Sequence, residues 1–115
     1  MHEYPYALGI ARTAEKYARE EGSSRVLEIR LTLGKASGLM PESLSFYFDL
    51  ISRGRLCEGA KLTFELVTPL LRCRDCGKLF ERRPFCFVCE DESCAGEGEP
   101  TEIGREFVID SILVE

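Results

Sequence analysis

Five of the chain's six cysteines fall between residues 73 and 94, in the stretch CRDCGKLFERRPFCFVCEDESC. Cys73 and Cys76 are separated by two residues, Cys86 and Cys89 repeat that spacing, and Cys94 follows after four more. Thiolate pairs at such spacings reach one tetrahedral Zn(II), and two pairs close a structural site completely. Cys73 and Cys76 are the first two candidates, with Gly77 relaxing the backbone just past them. Five sulfurs compete for four places, because Cys89 can pair through two residues with Cys86 or through four with Cys94. Cys86 lies three residues before Cys89, so in an extended strand the two face opposite sides. That favours Cys94, and the predicted zinc ligands are Cys73, Cys76, Cys89 and Cys94. Cys57 stands alone near the end of a predicted helix and reads as a small buried hydrophobe.

The second constellation is the amino end, MHEYPYALGI, which holds the only histidine of the sequence. A side chain so near a terminus adds little to a core. Its chemistry is more informative. The terminal amine of Met1, the following backbone amide and the His2 imidazole form fused chelate rings; with a further deprotonated amide, four nitrogens lie in the plane that Ni(II) and Cu(II) prefer. Glu3 adds an oxygen or an orienting hydrogen bond. Methionine before histidine is expected to survive processing, which requires a small second residue, so the amine belongs to Met1. Taken alone, Met-His-Glu is a weak signal, since an exposed histidine without a role is the default.

Charge and composition exclude several other functions. The 115 residues carry a net charge of -5, with 44% hydrophobic and 30% charged residues, as in an ordinary globular domain. Arg72, Arg74, Lys78, Arg82 and Arg83 surround the first cysteine pair, which suggests a nucleic-acid surface. Four thiolates around Zn(II) leave a formal charge of about -2, however, and nearby cations offset it. Residues 90–106 then add seven acids against one arginine, a run that repels phosphate. No basic leader and apolar run opens the chain, so a cytoplasmic location is expected, where thiols stay reduced and clustered cysteines hold metal rather than disulfides. Thiolates sharing an ion are inert toward redox exchange. No nucleophile, base and orienting group occur together, so the sequence is not read as an enzyme.

The elements that must position these residues follow from periodicity. Ala7, Ile10, Ala11, Ala14, Tyr17 and Ala18 recur at helical steps over residues 5–21, with Pro5 in the first turn and Gly22 as a left-handed cap. Because Pro5 disfavours helical geometry at Tyr4, residues 1–3 are expected to form an extended arm. Residues 25–33 alternate Leu27, Ile29, Leu31 and Leu33 with polar positions, as a strand with one wet face does. A second helix runs from Pro41 through Ile51, a second strand over residues 61–67, and a third over 106–114. The predicted fold is α+β: a small three-stranded sheet with two helices on one face, plus an inserted zinc-ribbon-like module. Residues 1–68 and 104–115 form the first domain. Residues 69–103, too polar to build a core unaided, form a module that a metal must support.

Together these residues resemble the HypA/HybF family of nickel-incorporation accessory proteins for [NiFe]-hydrogenase and, in some organisms, urease. The likeness spans the whole chain: the MHE start, LTLGKASG, PESLSFYFDLISRG, EGAKLTFEL, the CRDC pair with a second cysteine group, and GREFVIDSI. The resemblance implies a nickel metallochaperone, with Met1, His2 and Glu3 holding Ni(II) for transfer and cysteines holding structural Zn(II). It implies a nickel-handling GTPase and the hydrogenase large subunit as partners, leaves a homodimer open, and calls for neither nucleic acid nor membrane. Family spacing points to Cys89 as third zinc ligand. The family's last pair is normally CxxC, whereas here Glu-Asp-Glu-Ser separates Cys89 from Cys94, a departure that bears on the fourth ligand. The competing reading is a zinc-ribbon adaptor that binds protein or nucleic acid and carries no nickel.

Overall fold

The computed structural model describes residues 2–83 and 86–115. Its elements are α1 (Glu3–Glu20), β1 (Val26–Gly34), α2 (Pro41–Ile51), β2 (Lys61–Val67), β3 (Leu70–Cys73), β4 (Leu79–Glu81), β5 (Gly98–Pro100) and β6 (Phe107–Val114). β1 lies at the centre of the first sheet, parallel to β2 and antiparallel to β6. Ile29, Leu31 and Leu33 point from β1 into a core shared with Ala7, Ile10, Ala11, Ala14 and Ala18 of α1 and with Leu44 and Phe48 of α2. The opposite face carries Arg30 and the pairs Thr32–Asp110 and Thr63–Glu28, joined by hydrogen bonds of 2.6 and 2.7 Å. Both helices therefore cover one face and water covers the other, the expected α+β arrangement. Four alanines on the inner side of α1 keep the helix close to its neighbours, where larger side chains would overpack.

Several local details depart from the periodic reading. α1 starts at Glu3, two residues before Pro5, so no extended arm includes Glu3. Pro5 fits inside the first turn because the first four helical N–H groups have no acceptor within the helix. On the same helix Tyr17 is exposed while Glu15 is buried. Glu15 is satisfied there, accepting 2.8 and 3.3 Å hydrogen bonds from the Arg55 guanidinium and the Leu56 N–H. The helix ends as expected: Gly22 has φ +68°, Ser23 N–H donates to Ala18 O and Gly22 N–H to Arg19 O, which satisfies two terminal carbonyls. In β1, a register irregularity between Val26 and Glu28 puts Val26 fully in the core and leaves Leu27 half-buried.

The second sheet has the order β4-β3-β5, antiparallel throughout. The chain enters it through Thr68 and Pro69 and leaves through residues 101–106. These two connections run side by side, with Leu70 N–H donating to Ile103 O at 3.4 Å and Thr101 Oγ1 donating to Leu70 O at 2.7 Å. The loop after β1 closes on them, since Lys35 N–H donates to Val67 O and Ala36 N–H to Gly104 O. The whole molecule is elongated, 58 × 27 × 16 Å. Among the described residues, no helix is long and apolar enough to cross a membrane.

Candidate metal centres

The second sheet has almost no hydrophobic core of its own. Its buried cluster is Cys73, Phe80 and Cys89, with Leu71 and Cys94 packed against it. Cys73 ends β3, Cys76 follows in the tight turn before β4, and Cys89 and Cys94 flank a loop whose Cys89 N–H donates to Gly96 O at 2.7 Å. Here the four sulfurs of Cys73, Cys76, Cys89 and Cys94 lie within 4.8 Å of one another. The Cys73–Cys94 and Cys76–Cys89 sulfur separations are 3.5 and 3.8 Å. A regular tetrahedron with zinc–sulfur bonds of about 2.3 Å has edges of about 3.8 Å, so the donor set and its spacing fit Zn(II).

Cys86 stands apart from this set. Its sulfur instead lies 3.5 Å from the Arg83 guanidinium. Gly96 is a residue of the site that spacing alone does not flag: a Cβ there would sit 2.7 Å from the Cys73 sulfur and 2.6 Å from an Asp75 carboxylate oxygen. Only glycine leaves room for both. The sole sequence signal was a glycine directly after the last cysteine loop.

The thiols are not equivalent. The Cys76 N–H, pointing at the Cys73 sulfur from 3.5 Å, favours its thiolate and lowers Cys73 to about 7 against burial. The Gly96 N–H acts in the same sense on Cys94, but the neighbouring Cys73 sulfur and burial outweigh it and push Cys94 up to about 12. Several of the surrounding cations have other partners. Arg74 pairs with Glu99 and Lys78 with Glu90, both at 3.3 Å, and Arg72 donates to Gly77 O. Arg82 stacks on the Phe87 ring at 4.5 Å. Among the described residues, then, these side chains balance carboxylates and carbonyls more than sulfur.

At the amino end, His2 occupies the N-cap position of α1 and is exposed, with no side-chain capping hydrogen bond. Glu3, the next residue, is 2% exposed. Its Oε2 accepts a 3.2 Å hydrogen bond from the Met40 backbone N–H, which places the loop before α2 against the base of α1. Tyr4 extends the contact, meeting Tyr47 edge to face at 5.9 Å. Met1, the third residue expected here, lies outside the described residues. An exposed imidazole thus stands next in sequence to a buried, anchored carboxylate. Met40 was invisible to sequence reading, because a backbone N–H carries no residue-type signal. Cys57, as its isolation implied, is completely buried, and burial together with the nearby Glu15 carboxylate pushes its thiol up to about 11.

Comparison with known proteins extends along the whole chain. Residues 1–114 match the family described as "Hydrogenase/urease nickel incorporation, metallochaperone, hypA". Two relatives carry the name hydrogenase maturation factor HypA. The one from Caldanaerobacter subterraneus subsp. tengcongensis is 34% identical, with all of both chains covered. The one from Chlorobium limicola is 37% identical, over all of this chain and 97% of the relative. Among solved structures, a solution structure of HypA protein aligns with a TM-score of 0.72 at 21% identity, covering 100% of this chain and 97% of the other. The solution structure of the Ni metallochaperone HypA from Helicobacter pylori aligns at 0.63 and 21%, covering 99% and 97%. At that identity the structural likeness speaks to the fold alone. The full-length family match and the relatives decide the question: the chain belongs to the HypA family of nickel-incorporation metallochaperones, maturation factors rather than enzymes.

Proposed function

We propose that this chain takes up Ni(II) at its amino end and hands it on during maturation of [NiFe]-hydrogenase, and in organisms that need it urease, while Zn(II) holds the cysteine module together. The observation that carries the reading is the pairing of an exposed His2 with a buried, anchored Glu3 at the start of α1. Nickel is the cargo. Its donors are the His2 imidazole, the Met1 amine and backbone nitrogens, with Glu3 as oxygen donor or orienting group. Few side chains and an exposed position suit an ion that must be released.

The zinc assignment rests on a different kind of site. Cys73, Cys76, Cys89 and Cys94 enclose a position of tetrahedral size, and bound Zn(II) there would supply a fourfold cross-link in place of a hydrophobic core. We read residues 69–103 as that zinc module and residues 1–68 with 104–115 as the nickel-handling domain. The partners proposed are a nickel-handling GTPase and the hydrogenase large subunit, met in the cytoplasm, with a homodimer as a further assembly.

Isothermal titration of Ni(II) into zinc-loaded protein tests this reading. His2→Ala is expected to abolish the tight site, and one extra residue before Met1 to weaken it by at least about tenfold, since either change dismantles the chelate. Zinc content should stay the same. Unchanged nickel affinity and stoichiometry in both variants would overturn the amino-end site, and a wild-type chain that binds no nickel would favour the adaptor reading.

A further inference from the structure

Where the two sheets join, a groove of about 490 Å³ opens between the cysteine module and the connections that lead into and out of it. Its apolar wall is formed by Pro69, Leu71, Phe87 and Ile103, and two guanidiniums line it, Arg82 from the module and Arg105 from the returning connection. Four cations outside the groove pair with carboxylates: Arg30 with Glu28, Arg55 with Glu15, Arg74 with Glu99 and Lys78 with Glu90. Among the described residues, Arg82 and Arg105 have no carboxylate partner, although the chain carries a net charge of -5. Unmatched cations beside an apolar wall, in an acidic protein, mark a surface complementary to something that is both apolar and anionic.

We infer that this groove docks an extended segment of a partner protein in which carboxylates flank a short apolar stretch. The volume lies within the range of ordinary ligand clefts. The walls are also preformed, because the flanking connections are joined to each other through Leu70 and Ile103, and to the loop after β1 through Ala36 and Gly104. Binding to a fixed cleft avoids the ordering cost that weakens flexible sites. A simple anion would leave the apolar wall wet. A nucleic-acid strand would bring a continuous line of phosphates past Glu81, which lines the same groove, and past the acids around it. A peptide can space its carboxylates to meet Arg82 and Arg105 and avoid Glu81.

The test is fluorescence anisotropy with a dye-labelled, acetylated Asp-Leu-Pro-Leu-Asp peptide, titrated with the zinc-loaded full chain without nickel. Nickel takes no part, so the result is independent of the nickel-carrier reading. Saturable binding that weakens with added salt is expected. Combined Arg82→Glu and Arg105→Glu should lower affinity by at least about tenfold, whereas Arg53→Glu in the turn after α2 should leave it unchanged. Zinc content and circular dichroism establish that the variants fold. On the wild-type chain alone, the same peptide with lysine for aspartate should not bind. The proposal is overturned if the acidic peptide fails to bind, if the lysine peptide binds equally, if a short oligothymidylate binds more tightly, or if the folded double variant binds as well as wild type.

Discussion

The backbone N–H of Met40 donates to Oε2 of Glu3 at 3.2 Å, joining residues 37 positions apart. The bond holds the segment entering α2 to the first turn of α1, directly beside His2. Removing the carboxylate leaves the Met40 N–H without that acceptor in a partly buried place, and a hydrogen bond to a charged group contributes about 1.5–3 kcal/mol. Glu3→Ala is therefore expected to lose about 2 kcal/mol of stability in urea unfolding without nickel. Glu3→Gln, which keeps an oxygen acceptor, should lose less and should bind nickel more tightly than Glu3→Ala. Equal stability for all three proteins would show that Glu3 does not anchor this end.

The cysteine module gives a sharper contrast. Cys94 belongs to the four-sulfur group, whereas Cys86 lies against Arg83. Cys94→Ala should fail to retain a full equivalent of zinc and should unfold residues 69–103, because breaking a structural site forfeits the folding free energy the metal supplies. Cys86→Ala should keep its zinc and its fold. Elemental analysis after dialysis against a mild chelator reads both. Zinc lost from Cys86→Ala and retained by Cys94→Ala would reverse the ligand assignment.

Those two contrasts also show what the sequence could reveal. The alternation of Ile29, Leu31 and Leu33 and the alanine steps of α1 state which faces are buried, because side-chain direction follows backbone period. Cysteine spacing limited the metal candidates because turn geometry limits which thiols can meet. What stayed hidden depends on contacts between distant segments. Glu15 is buried because Arg55 and Leu56, forty and more residues away, satisfy it. The arginines around the first cysteine pair turned to Glu99, Gly77 O and Phe87, partners that no local pattern could name.

Buried Cys57 predicts a pH dependence. An unfolded thiol ionises near 9, whereas burial first, then the Glu15 carboxylate, pushes the folded one up to about 11. Below about pH 9 both states keep the proton and stability is unaffected. As pH rises from about 9 to about 11, the unfolded chain releases its proton first, and stability falls by about 3 kcal/mol in all. Denaturant midpoints measured across that range should drop more steeply for wild type than for Cys57→Ala. Parallel curves would mean that Cys57 does not stay protonated in the folded protein.

The junction between the sheets depends on close backbone approach. Gly104 has φ +98°, and a Cβ there would be driven into Pro69. Backbone cannot move aside as a flexible side chain can, and a left-handed φ is unfavourable for alanine in any case. Gly104→Ala is expected to cost about 3 kcal/mol or more, at the upper end of single-residue effects. Thermal unfolding should show it as a clear fall in Tm. A wild-type Tm would mean that this crossing is looser than its geometry implies.

Asp110 protects an exposed edge. β6 is an edge strand of the first sheet, and its exposed face carries Val108 and Leu113 at 48% and 55% exposure. Its pairing with β1 passes from Leu31–Ile109 to Arg30–Ser111, so Asp110 is an unmatched bulge residue, and its carboxylate accepts a 2.6 Å hydrogen bond from Thr32. A bulge and a charge are the devices that keep free edges from pairing with other chains. Asp110→Val removes the charge and makes FVIDSILV continuously apolar except for Ser111, while losing the Thr32 bond, worth about 1 kcal/mol. Multi-angle light scattering should detect larger, concentration-dependent species for the variant that are absent from wild type under the same conditions. If Asp110→Val stays at the wild-type mass up to high concentration, the bulge alone suffices and the carboxylate serves only to hold Thr32.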